Sequence, residues 1–199
     1  MNHSRLAPFH IALVHFPTVD KQGDVATTSV TNLDIHDLAR SARTYGVDGY
    51  WIVHPYPAMQ RHVRRVMEHW TDGWGAAYNP TRRESLEMTH LASDLGVVRQ
   101  GIERMHPGRE VAWVATSARR NRRSVTFREV RRWLRDPAEQ RVFCVLFGTG
   151  WGLHADVLEE ADYLLEPIDG PTPWNHLSVR AAAAIVMDRL LAPHDRGQA

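Results

Sequence analysis

The stretch that decides the fold is RVFCVLFGTGWGL, residues 141–153. Its apolar run, VFCVLF, is typical of a strand buried on both faces of a sheet. Three glycines, Gly148, Gly150 and Gly152, follow at alternate positions and end the run. Glycine lets backbone amides and carbonyls approach a ligand that larger residues would keep away. The stretch therefore predicts a buried strand that opens into a ligand-binding loop, although a tight turn alone would also explain the glycines.

The rest of the chain alternates strand and helix patterns, with no linker, repeat or low-complexity tract. Helix-length segments between strands are typical of an α/β fold with a mostly parallel sheet flanked by helices. Thr31 and Asp34 have the spacing of a capping box and predict the start of the first long helix. The predicted strands are residues 9–16, 49–55, about 91–98, 110–118 (running into a turn of small residues), 141–147 and 161–168. The predicted helices are residues 33–45, 58–70, a segment from about 81, a segment ending at 106, the arginine-rich segment before 135, 153–160 and 175–191.

Length and composition favour a single domain. The chain has 199 residues, 43% of them apolar, which is enough for one domain over residues 1–199. We expect residues 1–8 and 193–199 to be flexible ends. No window approaches about 18 uninterrupted apolar residues and the N-terminus lacks a signal-peptide pattern, so a cytoplasmic protein without a membrane segment is predicted. The single cysteine, Cys144, cannot form an internal disulfide and is expected to be a buried strand thiol.

Positive charge is unevenly distributed. The net charge is only +1, yet residues 119–135 contain eight arginines and a single acid, Glu129. Such a run is either a solvated surface or a surface that faces RNA phosphates. Two loop aromatics, Trp74 and Tyr78, either stack on an unpaired base or fill space beneath a loop. The predicted RNA-binding residues are Arg119, Arg120, Arg122, Arg123, Trp74 and Tyr78.

Three strand ends carry loops suited to a ligand, residues 115–118, 147–152 and 167–178. In open parallel sheets, ligands bind beyond the carboxyl ends of the strands, where such loops converge. The glycine pattern lacks the Lys-Ser/Thr pair of a P-loop and lies far from the first strand, so a phosphate ligand is not indicated. A nucleoside fits better, with main-chain groups reading its edge and apolar walls from Leu146, Ile168 and Leu177.

The glycine loop, the last helix and the first helix resemble the motifs of a known family. LFGTGWGL (residues 146–153) and NHLSVRAAAAIVMDRLL (residues 175–191) resemble the second and third motifs of the SPOUT methyltransferases. Residues 27–53 resemble their first motif, a helix bearing Asn and Arg between the first two strands. The likeness is greatest to a small bacterial branch of single-domain RNA methyltransferases and extends over residues 11–191.

The resemblance implies several properties of the molecule. Its C-terminal part would form a deep trefoil knot, a rare exception to unknotted topology. The cofactor would be S-adenosylmethionine, with S-adenosylhomocysteine as product, and the substrate would be RNA, either tRNA or rRNA. The protein would be a homodimer whose first and last helices pair across a two-fold axis, with the RNA site assembled at the interface.

Carried over by motif, the resemblance implies cofactor contacts from all three loops. The acidic residue that is frequent in the second motif of the family is absent here, where Gly150 and Trp151 stand, so its role cannot be transferred. The implied cofactor-binding residues are Thr116, Ser117, Phe147, Gly148, Thr149, Gly150, Gly152, Ile168, Asp169, Gly170, His176, Leu177 and Ser178.

Methyl transfer from a sulfonium is mainly a positioning task, helped by a group that accepts the target's proton or anchors a phosphate. The resemblance points to Asn32, Arg40, Ser178 and Arg180 for these catalytic roles. Each has a structural alternative, because Asn and Ser often cap helices, and an arginine commonly lies at the surface or pairs with an acid such as Asp169. No metal is expected, since the twelve histidines lack a recognised ligand spacing.

The predicted function is methyl transfer from S-adenosylmethionine to a base or ribose atom of tRNA or rRNA. Two alternatives remain open at this point. One is a non-catalytic RNA-binding or assembly protein that keeps the knotted fold, and the other is an α/β nucleotide-binding protein of another type. The intact glycines of residues 147–152 favour the enzyme, because a pocket that no longer bound cofactor would not need them.

Overall fold

The apolar run that ends in the glycines forms the central strand of the molecule. The computed structural model describes residues 6–193. Its strands, in chain order, are β1 (Phe9–Val14), β2 (Thr18–Val19), β3 (Val25–Ala26), β4 (Gly49–Val53), β5 (Thr89–Ala92), β6 (Val111–Ala115), β7 (Ser124–Val125), β8 (Val142–Gly148) and β9 (Tyr163–Leu165). Every residue of β8 before Gly148 is buried, as expected for a strand covered on both faces.

Seven strands form one sheet in the order β5-β4-β1-β8-β6-β9-β7, and all neighbouring pairs are parallel. The two remaining strands, β2 and β3, form an antiparallel hairpin of their own. Side chains alternate between the faces, so that Ile11 and Leu13 of β1 enter one core while Ala12 enters the other. The predicted α/β fold with a mostly parallel sheet flanked by helices is confirmed.

Helices cover both faces of the sheet. They are α1 (Asn32–Thr44), α2 (Pro57–Thr71), α3 (Trp74–Tyr78), α4 (Pro80–Leu86), α5 (Leu95–Met105), α6 (Phe127–Arg135), α7 (Ala155–Glu160) and α8 (Val179–Leu191). The buried side chains of α1, α2, α4, α6 and α8 join the core on one face, and those of α5 and α7 join the core on the other. The arrangement leaves the carboxyl ends of the strands open to loops.

The start of α1 follows the predicted capping box. The Thr31 hydroxyl accepts from the backbone N–H of Asp34, and the Asp34 carboxylate accepts in return from the backbone N–H of Thr31 at 2.9 Å. Such a box satisfies two of the N–H groups that a helix start leaves unpaired. It also fixes the Asp34 side chain, which is only 7% exposed, at the first turn of the helix.

The structure corrects several predicted boundaries. The predicted strand 91–98 is wrong beyond residue 92, because the Asp94 side chain accepts from the N–H of Val97 and starts α5 there. The predicted helix 175–191 begins only after Ser178, which caps it. The loop predicted between the first strand and α1 contains the β2–β3 hairpin, and the loop after α2 contains α3.

Three further predictions concern the chain ends, the cysteine and membrane segments. Residues 1–5 and 194–199 of the predicted flexible ends lie outside the described residues. Ala7 is buried and its backbone N–H donates to the Leu134 carbonyl at 2.8 Å. Cys144 is a buried free thiol, as predicted, and burial raises its pKa. No helix within residues 6–193 is long and apolar enough to cross a membrane.

Candidate functional site

A cavity of about 840 Å³ lies beyond the carboxyl ends of β6, β8 and β9. All three loops singled out by the sequence reach it, as ligand sites in open parallel sheets lead one to expect. From the predicted cofactor set, its lining includes Thr116, Ser117, Phe147, Gly148, Thr149, Gly150, Gly152, Ile168, His176, Leu177 and Ser178.

Three residues named from the sequence do not line this cavity. Asp169 forms an ion pair with Arg120, and a side chain at Gly170 would meet only open space. Leu146, expected as an apolar wall, packs instead into the core on the α5 and α7 face of the sheet. That expectation was wrong because side chains alternate along β8, so the neighbour Phe147 takes the wall position.

The glycine loop accepts no side chain at Gly148. A Cβ atom there would lie 2.4 Å from the backbone N of Leu153 and 2.6 Å from the carbonyl carbon of Gly152. Gly150 and Gly152 have φ values of +60° and +114°, which residues with side chains rarely adopt. The glycines are therefore needed for the turn itself, and the same turn brings bare backbone to the cavity wall.

A family model described as SAM-dependent RNA methyltransferase matches residues 8–192, nearly the whole chain. The chain belongs to that family. Its enzyme class and its cofactor, S-adenosylmethionine, follow from this membership.

Several individual proteins are similar to this chain. An uncharacterized protein of Aquifex aeolicus (strain VF5) is 41% identical over 92% of this chain and 87% of its own length. A tRNA (guanine-N(1)-)-methyltransferase of Oleidesulfovibrio alaskensis is also 41% identical over 92% of this chain, but this chain spans only 41% of that protein. The SpoU methyltransferase AviRb from Streptomyces viridochromogenes, solved in complex with AdoMet, has a TM-score of 0.53 over 94% of this chain and 58% of its own. Its identity of 15% makes that likeness one of fold.

In this methyltransferase the β2–β3 hairpin packs directly on the glycine loop. The backbone N–H of Val19 donates to the Gly152 carbonyl at 3.0 Å, and the N–H of Trp151 donates to the Val19 carbonyl at 3.1 Å. Thr18 and Leu153 extend the contact as an isolated antiparallel bridge. The hairpin thus holds the glycine loop in place, and Val19 itself lines the cavity beside that loop.

A chain of side-chain hydrogen bonds ties the segment after the hairpin to the same loop. The Thr149 hydroxyl lies 3.2 Å from the Val14 carbonyl and 2.5 Å from the Thr28 hydroxyl, which in turn lies 2.9 Å from Nδ1 of His15. A carbonyl only accepts, so Thr149 donates to it, Thr28 donates to Thr149, and His15 donates to Thr28. Burial lowers the pKa of His15 to about 4, which keeps the ring neutral near pH 7.

We expect Thr28→Val to weaken S-adenosylmethionine binding about fivefold to tenfold, a loss of about 1 kcal/mol. The substitution keeps the shape of the side chain but removes both hydrogen bonds that link His15 to Thr149. Isothermal titration measures the effect. Thr27→Val is the matched control, because no hydrogen bond joins its side chain to the described residues, and equal affinities for the two variants would contradict the prediction.

Asp34 and Arg180 meet at the rim of the cavity, which Asp34 lines. Arg180 Nη1 lies 3.6 Å from Asp34 Oδ1, and its Nε lies 3.5 Å from Asp37 Oδ2. The other Asp34 oxygen accepts from the backbone N–H and the hydroxyl of Thr31. Arg180 is therefore held by two carboxylates of α1 and not by Asp169, the acid suggested from the sequence. A guanidinium has five N–H donors, so some remain for a ligand.

The other predicted catalytic residues occupy different places. Asn32 is the exposed first residue of α1, and Thr31 rather than Asn32 caps the helix. Ser178 lines the cavity and also caps α8, since its hydroxyl accepts from the N–H of Ala181 at 3.3 Å. Arg40 is exposed and lines a second cavity, which lies between α1 and α4.

The arginine-rich segment divides into two parts with different surroundings. Arg119, Arg120, Arg122 and Arg123 are exposed in the loop between β6 and β7, and Arg119 reaches the cavity. On α6, by contrast, Arg131 and Arg135 donate to carbonyls at the end of α8 at 2.8 to 3.2 Å. The loop part remains the predicted RNA-binding part, and the helix part stabilises the C-terminal helix.

Some residues that line the 840 Å³ cavity were not predicted from the sequence. Val19 and Thr28 come from the segment that was predicted to be an irregular loop, and Glu166 and Asn175 complete the polar lining. Asp34 was expected only as part of a helix cap. Within residues 6–193, no group of three or more His, Cys, Asp or Glu side chains could hold a metal ion.

Proposed function

We propose that this chain transfers a methyl group from S-adenosylmethionine, bound in the 840 Å³ cavity, to a base or ribose atom of tRNA or rRNA in the cytoplasm. The observation that carries the proposal is the meeting of three loops from separate strand ends at one cavity in a chain of the RNA methyltransferase family.

The residues around the cavity suit this cofactor. A volume of about 840 Å³ lies within the usual range of about 300–1,000 Å³ for small-molecule sites. Phe147, Ile168 and Leu177 provide apolar surface for an adenine ring, and the turn at Gly148 and Gly150 leaves main-chain groups free to read its edge. When bound, the cofactor supplies a methyl group already activated by the sulfonium.

The protein then has to hold the RNA atom in line with that methyl group. Arg180 is suited to bind a phosphate or ribose oxygen of the target nucleotide, because Asp34 and Asp37 already fix its orientation. The Asp34 carboxylate, which lines the cavity beside Arg180, is our candidate to accept the target's proton. Arg119, at the cavity, and its neighbours in the β6–β7 loop would draw the RNA backbone to the opening.

tRNA is the first RNA to assay. Two relatives, 41% and 40% identical to this chain, are named tRNA (guanine-N(1)-)-methyltransferases. In each case more than half of the relative lies outside the match, because this chain spans 41% of it. The name therefore favours tRNA as a substrate class, and the position and atom are left to experiment.

We also propose that the C-terminal part is threaded as a deep trefoil knot. The strand order supports it, since β9 lies between β6 and β7, both of which precede it in the chain. To reach that position, the chain after β8 has to return to the sheet inside the segment that joins β6 to β7. Two of the cavity loops adjoin this crossing, which would hold them rigidly together.

The active unit is proposed to be a homodimer. α8 presents half-exposed small and apolar residues, among them Ala181, Ala184 and Ile185, and Leu33 at the start of the adjoining α1 is 54% exposed. Such a face fits a two-fold contact with a second copy. Light scattering is expected to give twice the chain mass of 22.7 kDa, and a monomer at micromolar concentration would contradict the dimer.

The proposed function is tested by comparing the modified nucleosides of RNA from a deletion strain and its parent by mass spectrometry. One methylated nucleoside is expected to disappear and to return when the purified protein and S-adenosylmethionine are added to the deletion-strain RNA. Identical nucleoside profiles together with measurable RNA binding would instead indicate a non-catalytic RNA-binding protein.

A further inference from the structure

A second cavity, of about 330 Å³, lies between α1 and α4, away from the proposed cofactor site. Its side chains are all polar or charged, and three of them are arginines. The lining residues are Arg40, Arg43, Thr44, Asn79, Thr81, Arg82, Glu84 and Ser85. A cavity of this composition suits a small, oxygen-rich anion.

The positive charge of this cavity is only partly neutralised. Arg43 forms an ion pair with Glu84. Among residues 6–193, no carboxylate lies within ion-pairing distance of Arg40 or Arg82. The guanidinium of Arg82 instead lies 4.3 Å from the centre of the Trp70 ring. The hydroxyls of Thr44, Thr81 and Ser85 already donate to oxygens of the protein. Two arginines without an acidic partner among the described residues, beside the side-chain amide of Asn79, favour a phosphate group.

A pair of exposed aromatic rings adjoins the cavity. Trp74 and Tyr78 of α3 are each 70% exposed, and their rings stack with centres 4.7 Å apart at 19°. Tyr78 directly precedes Asn79, a lining residue. The Trp70 ring contacts both α3, which bears the aromatic pair, and a residue that lines the cavity. On one side α3 packs so closely that a Cβ at Gly75 would lie 2.6 Å from the Trp70 ring. The guanidinium of Arg82, a cavity residue, lies over the same ring.

We propose that this α1–α4 surface, made of the 330 Å³ cavity and the Trp74–Tyr78 pair, binds an unpaired segment of the substrate RNA. A phosphate would occupy the arginine cavity and a base would stack on the outer face of the aromatic pair. Arginines beside exposed aromatics are the combination with which proteins hold single-stranded nucleic acid. The inference rests on the proposed function and specifies where the RNA is held outside the catalytic cavity.

The position of the surface fits this role. Arg40 follows Asp34, which lines the cofactor cavity, by six residues on α1, a rise of about 9 Å along the helix. Six residues also separate the two positions by about 120° around the helix, so an RNA strand that reaches both sites has to bend around α1. The face proposed for the dimer consists of α8 residues and of Leu33 at the start of α1. The second cavity is lined instead by residues near the end of α1, from Arg40 to Thr44, and by residues 79–85.

The test uses the purified full chain and two RNA probes of one sequence, about 12 nucleotides long, one single-stranded and one duplex. Fluorescence anisotropy at several salt concentrations gives Kd and its salt dependence. Trp74→Ala is expected to raise Kd for the single strand at least about fivefold without changing the salt slope, because a stacked base is lost. Kd for the duplex should not change, since paired bases cannot stack on the rings.

The arginines are tested by their effect on the salt slope. Arg40→Gln combined with Arg82→Gln is expected to flatten the plot of log Kd against log salt by about 0.7, and Arg40→Gln alone by less, because the two arginines are proposed to hold one phosphate and each phosphate neutralised on a single strand releases about 0.7 counterions. The single variant leaves the packing of Arg82 on Trp70 intact. Matched controls are Arg104→Gln on α5, on the opposite face of the sheet, and Tyr56→Ala, another exposed aromatic.

The outcomes separate this inference from the proposed function. Wild-type protein that neither binds RNA nor transfers a methyl group would overturn the proposed function. Wild-type protein that does both, with α1–α4 variants that match the two controls, would overturn only the present inference. Trp74→Ala that lowers the mass in light scattering but leaves RNA binding unchanged would also overturn it, because the rings would then contact a second copy. Unchanged S-adenosylmethionine affinity in each variant shows that the fold is intact.

Discussion

Gly148→Ala is expected to reduce S-adenosylmethionine affinity at least about 100-fold, a loss of about 2.7 kcal/mol. The new methyl group would lie 2.4 Å from the backbone N of Leu153 and 2.6 Å from the carbonyl carbon of Gly152. Neither is the end of a flexible side chain, so the turn itself has to move. Backbone hydrogen bonds with Val19 of the β2–β3 hairpin hold that turn, and both line the cavity, so a displaced turn changes the cavity wall.

The control for this variant is Gly108→Ala. Gly108 has a φ of +78° and open space around its Cβ position, and it lies between α5 and β6, away from the cavity. Alanine there costs about 1 kcal/mol of stability through backbone strain but should leave cofactor affinity unchanged. Isothermal titration and thermal unfolding of both variants separate a local effect from a general one. Gly148→Ala that binds S-adenosylmethionine within about twofold of wild type would show that the glycine loop is only a turn.

The sheet could be predicted because its central strands are uninterrupted apolar runs. β1, β4, β6 and β8 are buried on both faces and alternate with amphipathic helices, a combination that few folds other than a parallel sheet accommodate. Prediction failed where local signals are weak. β2, β3 and β7 have two residues each, too few for any periodicity, and their pairing depends on neighbours elsewhere in the fold.

The three loops that meet at the cavity could be named because each directly follows a recognisable strand. Polar residues that complete the cavity could not be named in this way. Thr28 contacts Thr149 across 121 positions of sequence, and nothing near Thr28 in the chain indicates that contact. Asp34 is an intermediate case, since the capping box predicted where its carboxylate is anchored but not that α8 would bring Arg180 beside it. Long-range contacts of this kind are set by topology rather than by local pattern.

The roles of the arginines in residues 119–135 also depend on contacts that the sequence does not reveal. From composition alone, Arg123 and Arg131 are equally good candidates for RNA binding. In the structure, Arg123 is exposed in a loop, whereas Arg131 donates to the Arg189 carbonyl at 2.8 Å. Unpaired carbonyls at the end of a helix attract such donors. Positions before Phe127 lie outside the helix and remain available for RNA, whereas the α6 arginines that face α8 serve the fold.

Arg180→Ala is expected to lower the turnover number at least about 100-fold, because a target atom that is misplaced by even about 1 Å loses its alignment with the methyl group. Arg180 is the one predicted catalytic arginine whose guanidinium is fixed next to a residue that lines the cofactor cavity, through Asp34 at 3.6 Å and Asp37 at 3.5 Å. S-adenosylmethionine affinity should stay within about threefold of wild type, since Arg180 is not itself among the lining residues.

Two further variants distinguish positioning from a purely structural role. Arg180→Lys keeps the charge but not the planar fork of donors, so it should retain the KM for RNA while recovering little of the turnover number. Asp37→Asn removes the more exposed of the two carboxylates, 47% exposed against 7% for Asp34, and should lower turnover less than about threefold, as exposed ion pairs contribute little. Single-turnover methyl transfer to tRNA, with S-adenosylmethionine titrations and unfolding curves for each variant, provides the measurement. Two outcomes would contradict this role: an Arg180→Ala enzyme that keeps about a third or more of wild-type turnover, or one that loses cofactor binding and stability together. Either outcome would assign Arg180 to the packing of α8 on α1. Asp34 would then be the only charged side chain proposed to act on the target atom.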